Sequence, residues 1–94
     1  MFEELDPLLH SQLRLAIISL LISVQEADFV FIREKTGATA GNLSVQIEKL
    51  SEAGYIESNK FIDGKRPRTV CRITDKGIEA FDVYVKALQS YIPK

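Results

Sequence analysis

Thr36-Gly37-Ala38-Thr39-Ala40-Gly41-Asn42-Leu43-Ser44-Val45-Gln46-Ile47-Glu48-Lys49-Leu50-Ser51-Glu52-Ala53-Gly54-Tyr55 is the stretch whose reading decides the fold. Gly37 is suited to end a preceding helix in the left-handed conformation, and Thr39 offers a side-chain oxygen to the unpaired N–H groups that begin the next helix. Leu43, Ile47 and Leu50 recur at helical spacing and form one stripe to be buried. At roughly 100° per residue, Gly41, Val45, Glu48 and Glu52 point away from that stripe, flanked by Asn42, Ser44, Gln46 and Lys49. Gly54 closes the helix and Tyr55-Ile56 opens extended structure. The unit reads helix, turn, helix, strand, a shape suited to insertion into a groove.

Downstream, Tyr55 to Phe61 and Arg68 to Ile73 suit two short strands joined by residues 62–67, a hairpin with its turn at Asp63-Gly64. Alternation puts Thr69, Cys71 and Ile73 on one face, assigned to the core, and Arg68, Val70 and Arg72 on the other. Lys60, Lys65, Arg66, Arg68 and Arg72 outweigh Asp63, giving this segment a local charge of +4. Thr74 can cap a last helix over 75–92. In it Ile78, Phe81, Val85, Leu88 and Ile92 follow three-four spacing, a seam wanting another helix, with Tyr84, Ala87 and Tyr91 beside it.

Upstream, a helix over 8–24 can start at Asp6-Pro7 or at Ser11. It carries Leu9, Leu13, Ala16, Ile17, Leu20 and Val24 on one side and Leu8, Leu15, Ile18 and Ile22 on another. A helix apolar around most of its circumference must be covered on more than one face, so contact with both the core and a partner helix is expected. Asp28 is a good N-cap for a short helix from Phe29 to Thr36, with Phe29 and Ile32, and Phe31 as a further candidate, packing beneath the 40–53 helix and Arg33 and Lys35 near any phosphate backbone.

The chain has 94 residues and no repeat or linker, so 1–94 is read as one domain, and an apolar content of 46% supports a folded core. A net charge of −1 with a pI near 5.8 excludes nucleic-acid binding through overall charge; any such affinity must come from local clustering. The start, with Glu3, Glu4 and Asp6, lacks the basic segment of a secretory signal, and the apolar run from Leu8 to Val24 is interrupted by His10, Gln12 and Arg14. No membrane association and a cytoplasmic location are therefore expected. One cysteine, Cys71, and one histidine, His10, leave no basis for an internal disulfide, a metal site or a cofactor. No set of nucleophile, base and orienting group is recognisable, so no enzyme is expected. Cys71 is read as a buried inert thiol, with redox sensing as the alternative.

Gly41 to Ile56 resembles the recognition helix of winged-helix bacterial transcriptional regulators of MarR/ArsR-like type. Leu5-Asp6-Pro7 and His10 to Ile17 resemble the first helix of a small MarR-like subfamily that consists of little beyond the winged domain. Gly64-Lys65-Arg66-Pro67-Arg68-Thr69 and Ile73-Thr74-Asp75-Lys76-Gly77 resemble its wing and the start of its final helix. Where such sequences often carry a histidine, this one has Gln46. The fold implied is α+β, mainly α: a winged helix-turn-helix with a three-helix core, a two-stranded hairpin wing and an additional C-terminal helix.

On that reading, residues 40–53 enter the major groove of double-stranded DNA. Asn42 and Gln46 can pair with adenine, Ser44 can meet a phosphate, Val45 can pack on a thymine methyl, and Lys49 reaches backbone. Within the wing, 60–72, Lys65 or Arg66 enters the minor groove while Lys60, Arg68 and Arg72 meet phosphates. A homodimer is expected through the first and last helices, using Leu8, Leu15, Ile18 and Ile22 with Ile78, Phe81, Val85, Leu88 and Ile92. The expected role is regulation, by repression, from a pseudo-palindromic operator. The alternative is a winged-helix module that binds protein and not DNA. Tyr84 and Tyr91 could line an effector cleft, with interface packing as the plainer reading and no positive support for an effector.

Overall fold

Four helices and three strands follow one another as α1 (Gln12–Val24), β1 (Glu26–Asp28), α2 (Phe29–Thr36), α3 (Ala40–Glu52), β2 (Ile56–Asp63), β3 (Arg66–Ile73) and α4 (Asp75–Gln89) in a computed structural model that describes residues 1–93. This is the expected winged helix, mainly α. Each helix is started by a side-chain oxygen: Ser11 accepts from the Arg14 N–H, Asp28 from Phe31, Thr39 from Asn42 and Thr74 from Gly77. Such a cap is worth about 1 kcal/mol. Gly37 follows α2 in the left-handed region, φ 71°, which lets α3 start after only three intervening residues, Gly37 to Thr39.

The helix boundaries correct two expectations. Residues 8–11 lie outside α1, because the Asp6 carbonyl accepts from Leu9 and His10 and its carboxylate accepts from Leu8, closing a turn before Ser11 caps the helix. Leu8 is therefore in a turn. At the other end α4 stops at Gln89, so Ile92 is beyond the helix, immediately before Pro93, whose ring disfavours helical backbone in the preceding residue.

The sheet has three strands, not two, in the antiparallel order β1-β3-β2. Its unforeseen member, β1, pairs Glu26 with Arg72, Ala27 with Cys71 and Asp28 with Val70. Gln25 makes the junction: at φ 70° and ψ −40° it turns the chain out of α1, donating its N–H to the Leu21 carbonyl and accepting from the Ile73 N–H at 3.0 Å. A side chain other than glycine in that region is costly, on the order of 1 kcal/mol.

α1 is the central post, touching α2, α3, α4, β1 and β3. Its apolar circumference is thus largely satisfied within the chain. Ile17, Ile18 and Leu21 are buried with Leu9, Ile32, Leu43, Leu50, Ile56 and Cys71, each aliphatic side chain contributing roughly 1.5–3 kcal/mol by leaving water. Ile18, at 0% exposure, is core and is closed to a partner subunit, which corrects its assignment to dimerisation. α4 buries Gly77, Tyr84 and Ala87, whereas Ile78 and Leu88 of the expected seam are exposed and Phe81 and Val85 half-buried. Tyr84 is core packing, its hydroxyl 3.1 Å from His10 Nδ1. Among the described residues no helix is long and apolar enough to cross a membrane.

Candidate nucleic-acid interface

Leu43, Ile47 and Leu50 anchor α3 to α1 and β2, so the rest of its circumference is directed by that anchoring. Ser44, Val45, Glu48 and Lys49 are exposed, as are Gly41 and Glu52, matching the angular positions read from the sequence. Val45 leaves 48% of its surface in water with no core partner, the position expected of a side chain kept for an encounter outside the chain.

Gln46 departs from that reading. It is half-buried on the flank facing α1, where its Oε1 accepts from Arg14 Nη1 at 2.5 Å and its Nε2 donates to Asn42 Oδ1 at 2.9 Å. One acceptor lone pair and one N–H of its amide are thereby engaged within the protein, so any pairing with adenine competes with these bonds. Arg14 is not a candidate on the sequence alone. Its guanidinium is braced a second time by Nε donating to the Leu8 carbonyl at 2.6 Å.

The wing is the hairpin of β2 and β3, paired from Ile56 with Ile73 at its base to Asp63 with Arg66 at its tip. The connecting loop is only Gly64-Lys65, with Gly64 at φ 66°. The strands run longer than expected, and Ile62 and Pro67, read as loop, form a ladder pair.

The pleat separates the basic residues. Ser58, Lys60 and Thr69 look toward α3 and, with Phe29, Ser44, Glu48 and Ser51, line a cleft of about 490 Å³ between helix and wing. Alternation then puts Arg66, Arg68 and Arg72 on the opposite face. Arg72 lies at the wing base, six residues and about 20 Å of extended chain from Arg66, between its ladder partners Glu26 and Glu57. Arg68 is held by Asp28 at 3.1 Å and Asp63 at 3.4 Å. Lys65 and Arg66, exposed at the tip, remain as the projecting cations. The local charge of +4 is therefore spread and partly matched along the hairpin, not concentrated on its end.

Two wing residues escaped the sequence reading. Phe61 and Ile62 are exposed, Ile62 by 68%, near the end of the hairpin. The sequence does carry their signal: two successive apolar residues in an alternating strand cannot both face the core.

Cys71 is fully buried, and burial pushes its thiol pKa up, opposite to the low value a reactive cysteine needs. No cluster of potential metal ligands occurs among the described residues.

At the chain ends, Phe2 stacks on Tyr91 with ring centroids 5.0 Å apart, the Tyr91 hydroxyl donates to the Glu3 carbonyl, and the Glu3 N–H donates to Ser90 Oγ. The N-terminal segment is thereby tied to the end of α4. Met1, Phe2, Leu88, Tyr91 and Ile92 leave much of their surface in water there.

Comparison with known proteins agrees with this architecture. Residues 13–92 match the model of a family described as winged helix DNA-binding domain. An uncharacterized protein of Methanocaldococcus jannaschii is 36% identical over 76 residues, covering 81% of this chain and 83% of its own. The structure of a transcriptional regulator homologue from Pyrococcus horikoshii superposes with a TM-score of 0.81 at 33% identity, covering 89% of this chain and 83% of that one. MarR superposes with a TM-score of 0.76 at 17% identity, a likeness of fold; the match covers 89% of this chain and 61% of MarR. With its helix-turn-helix, three-stranded sheet and wing in the order described, this chain belongs to the winged helix DNA-binding domain family.

Proposed function

We propose that the chain is a sequence-specific transcriptional regulator that binds double-stranded DNA as a homodimer, α3 in the major groove and the wing tip on the adjoining backbone or minor groove. One observation carries this reading: α3 keeps Ser44, Val45, Glu48 and Lys49 exposed on the side away from its buried stripe, beside a hairpin whose tip presents Lys65 and Arg66. The Pyrococcus horikoshii relative, described as a transcriptional regulator homologue, supports it.

The assigned roles follow the geometry. Val45 packs on a thymine methyl, Ser44 and Lys49 reach phosphates, Asn42 and Glu48 meet base edges, Lys65 and Arg66 touch backbone or minor groove, and Lys60 stands between helix and wing. Arg68 holds the wing through Asp28 and Asp63, Arg72 sits in the ladder between Glu26 and Glu57, and both contribute less. For dimerisation, the exposed group of Met1, Phe2, Leu88, Tyr91 and Ile92 is the better surface; Leu8, Leu15, Ile22, Phe81 and Val85 are only partly accessible. A two-fold dimer reads half-sites about one helical turn, roughly 34 Å, apart, and repression by excluding polymerase is the simplest consequence.

One feature favours the protein-binding alternative: Glu48 and Glu52 outnumber Lys49 on the exposed face of α3, which repels phosphate. Mass measurement of the complex with a selected palindromic duplex tests the regulator reading. Two chains per duplex are expected; association with protein partners but with no duplex would favour the alternative.

A further inference from the structure

Resting on the DNA-binding reading, we infer that Arg14 acts through Gln46 to fix Asn42 as a hydrogen-bond donor toward the base edges, so that a residue of α1 sets which bases the start of α3 accepts.

A guanidinium has only donors, so the Gln46 atom that faces Arg14 Nη1 must be the amide oxygen. Arg14 cannot turn away, because Nε is also committed to the Leu8 carbonyl. With its oxygen taken, Gln46 presents its NH₂ to Asn42, and the Asn42 atom that receives it must in turn be the amide oxygen, at 2.9 Å. The orientation that is otherwise ambiguous for Asn and Gln side chains is thus forced at both residues by the arginine.

Asn42 lies in the first turn of α3, exposed, with its own N–H on Thr39 Oγ1. Since its carbonyl is turned toward Gln46, its NH₂ is turned outward. An outward NH₂ suits bases that offer acceptors in the major groove: guanine with O6 and N7 best, adenine N7 and thymine O4 less well. It disfavours cytosine, whose N4 is a donor. Unconstrained, Asn42 could present either edge and would discriminate weakly. Arg14 is therefore a positioning residue for specificity that touches no base.

The polarity of the relay can be reversed without removing it. In the Gln46→Glu variant the side chain has only acceptors; one oxygen keeps Arg14 and the other draws the Asn42 NH₂ inward, turning the Asn42 carbonyl outward. Asn42→Asp reaches the same result differently, accepting from Gln46 with one oxygen and showing the other to the groove. Arg14→Leu removes the cause, leaving both amides free to flip.

Selection of bound sequences from a random duplex pool, run for the wild type and the three variants with melting curves on each, provides the test. The wild type should enrich guanine at one half-site position by at least roughly fivefold over cytosine. Gln46→Glu and Asn42→Asp should both invert the preference at that position alone, toward cytosine or adenine N6, and Arg14→Leu should flatten it there while sparing the others. A merely structural Arg14 would weaken every position equally. If Arg14→Leu does not fold, the two variants that retain Arg14 decide the matter. A wild-type motif kept unchanged by both would overturn this inference and leave the regulator reading standing; no wild-type motif would overturn both.

Discussion

Gly77 approaches Tyr55 so closely that a Cβ built on it would lie 2.2 Å from the Tyr55 carbonyl oxygen. That same carbonyl accepts from the Thr74 N–H at 3.2 Å and from the Thr74 hydroxyl at 2.9 Å, while the Gly77 N–H donates to Thr74 Oγ1 at 3.0 Å. The start of α4 is thereby fastened to the point where α3 hands over to the wing.

Gly77→Ala should therefore destabilise the fold by about 1–3 kcal/mol, the usual cost of overpacking, lowering Tm by roughly 4–8 °C for each kcal/mol. Ala at exposed Gly41, where an added Cβ meets nothing within 4 Å, should be neutral or stabilising. Thermal unfolding of the two variants checks the contrast.

Tyr55 also fastens the N-terminal segment, its hydroxyl donating to Asp6 Oδ2 at 2.5 Å. Desolvation first, then this bond and the charge of Asp6, push its pKa from 10.0 up to about 12. Because the folded value lies above the unfolded one, the stabilisation is complete below about pH 10 and is lost as pH rises from about 10 to about 12. Phenolate absorbance should show Tyr55 ionising near pH 12. Tyr55→Phe should remove that step and flatten the fall of Tm over the same window.

With a fully buried thiol whose pKa is raised, Cys71 should resist alkylation at neutral pH and react at the rate of unfolding. Thiol labelling in rising denaturant measures this. Rapid modification of the native protein would restore the redox-sensor reading.

On the wing, replacing Lys65 and Arg66 together by alanine should weaken DNA binding at all sequences. It should also reduce the dependence of log K on log salt by about 0.9 for each phosphate no longer neutralised. Arg72→Ala, at the wing base between Glu26 and Glu57, should leave that slope unchanged. Fluorescence anisotropy at several salt concentrations separates the two.

Leu88→Asp or Ile92→Asp should shift the chain toward monomer in sedimentation and lower its affinity for a two-half-site duplex without lowering Tm by more than a few degrees, since both side chains are exposed in the single chain.

The sequence is most legible where the rules are local. Gly37, Thr39 and the Leu43, Ile47, Leu50 stripe specify a turn and a helix through backbone geometry and periodicity, and Thr74 marks α4 for the same reason. What it hides is non-local. Glu26-Ala27-Asp28 is too short to carry an alternating pattern, and becomes a strand only because the edge of β3 is there to pair with it. A helical wheel places Gln46 on a flank but cannot show that Arg14, 32 residues earlier, faces it. Ile18 is misassigned from sequence because α1 is apolar nearly all round, so its pattern does not say which sides its own chain covers. The cations of the wing are countable and their alternation is readable, yet the pattern does not name the partners that hold Arg68, Asp28 and Asp63, or the Glu26 and Glu57 that flank Arg72 in the ladder.

Sequence-specific DNA binding by α3 and the wing tip is tested most directly by recovering bound duplexes from a random pool and titrating the best one between about 50 and about 200 mM salt. We expect an enriched pseudo-palindrome with half-sites about one helical turn apart, and an affinity that falls steeply with salt because binding displaces counterions from several phosphates. Absence of enrichment over a scrambled duplex at low salt would contradict the claim and leave the exposed face of α3 to a protein partner.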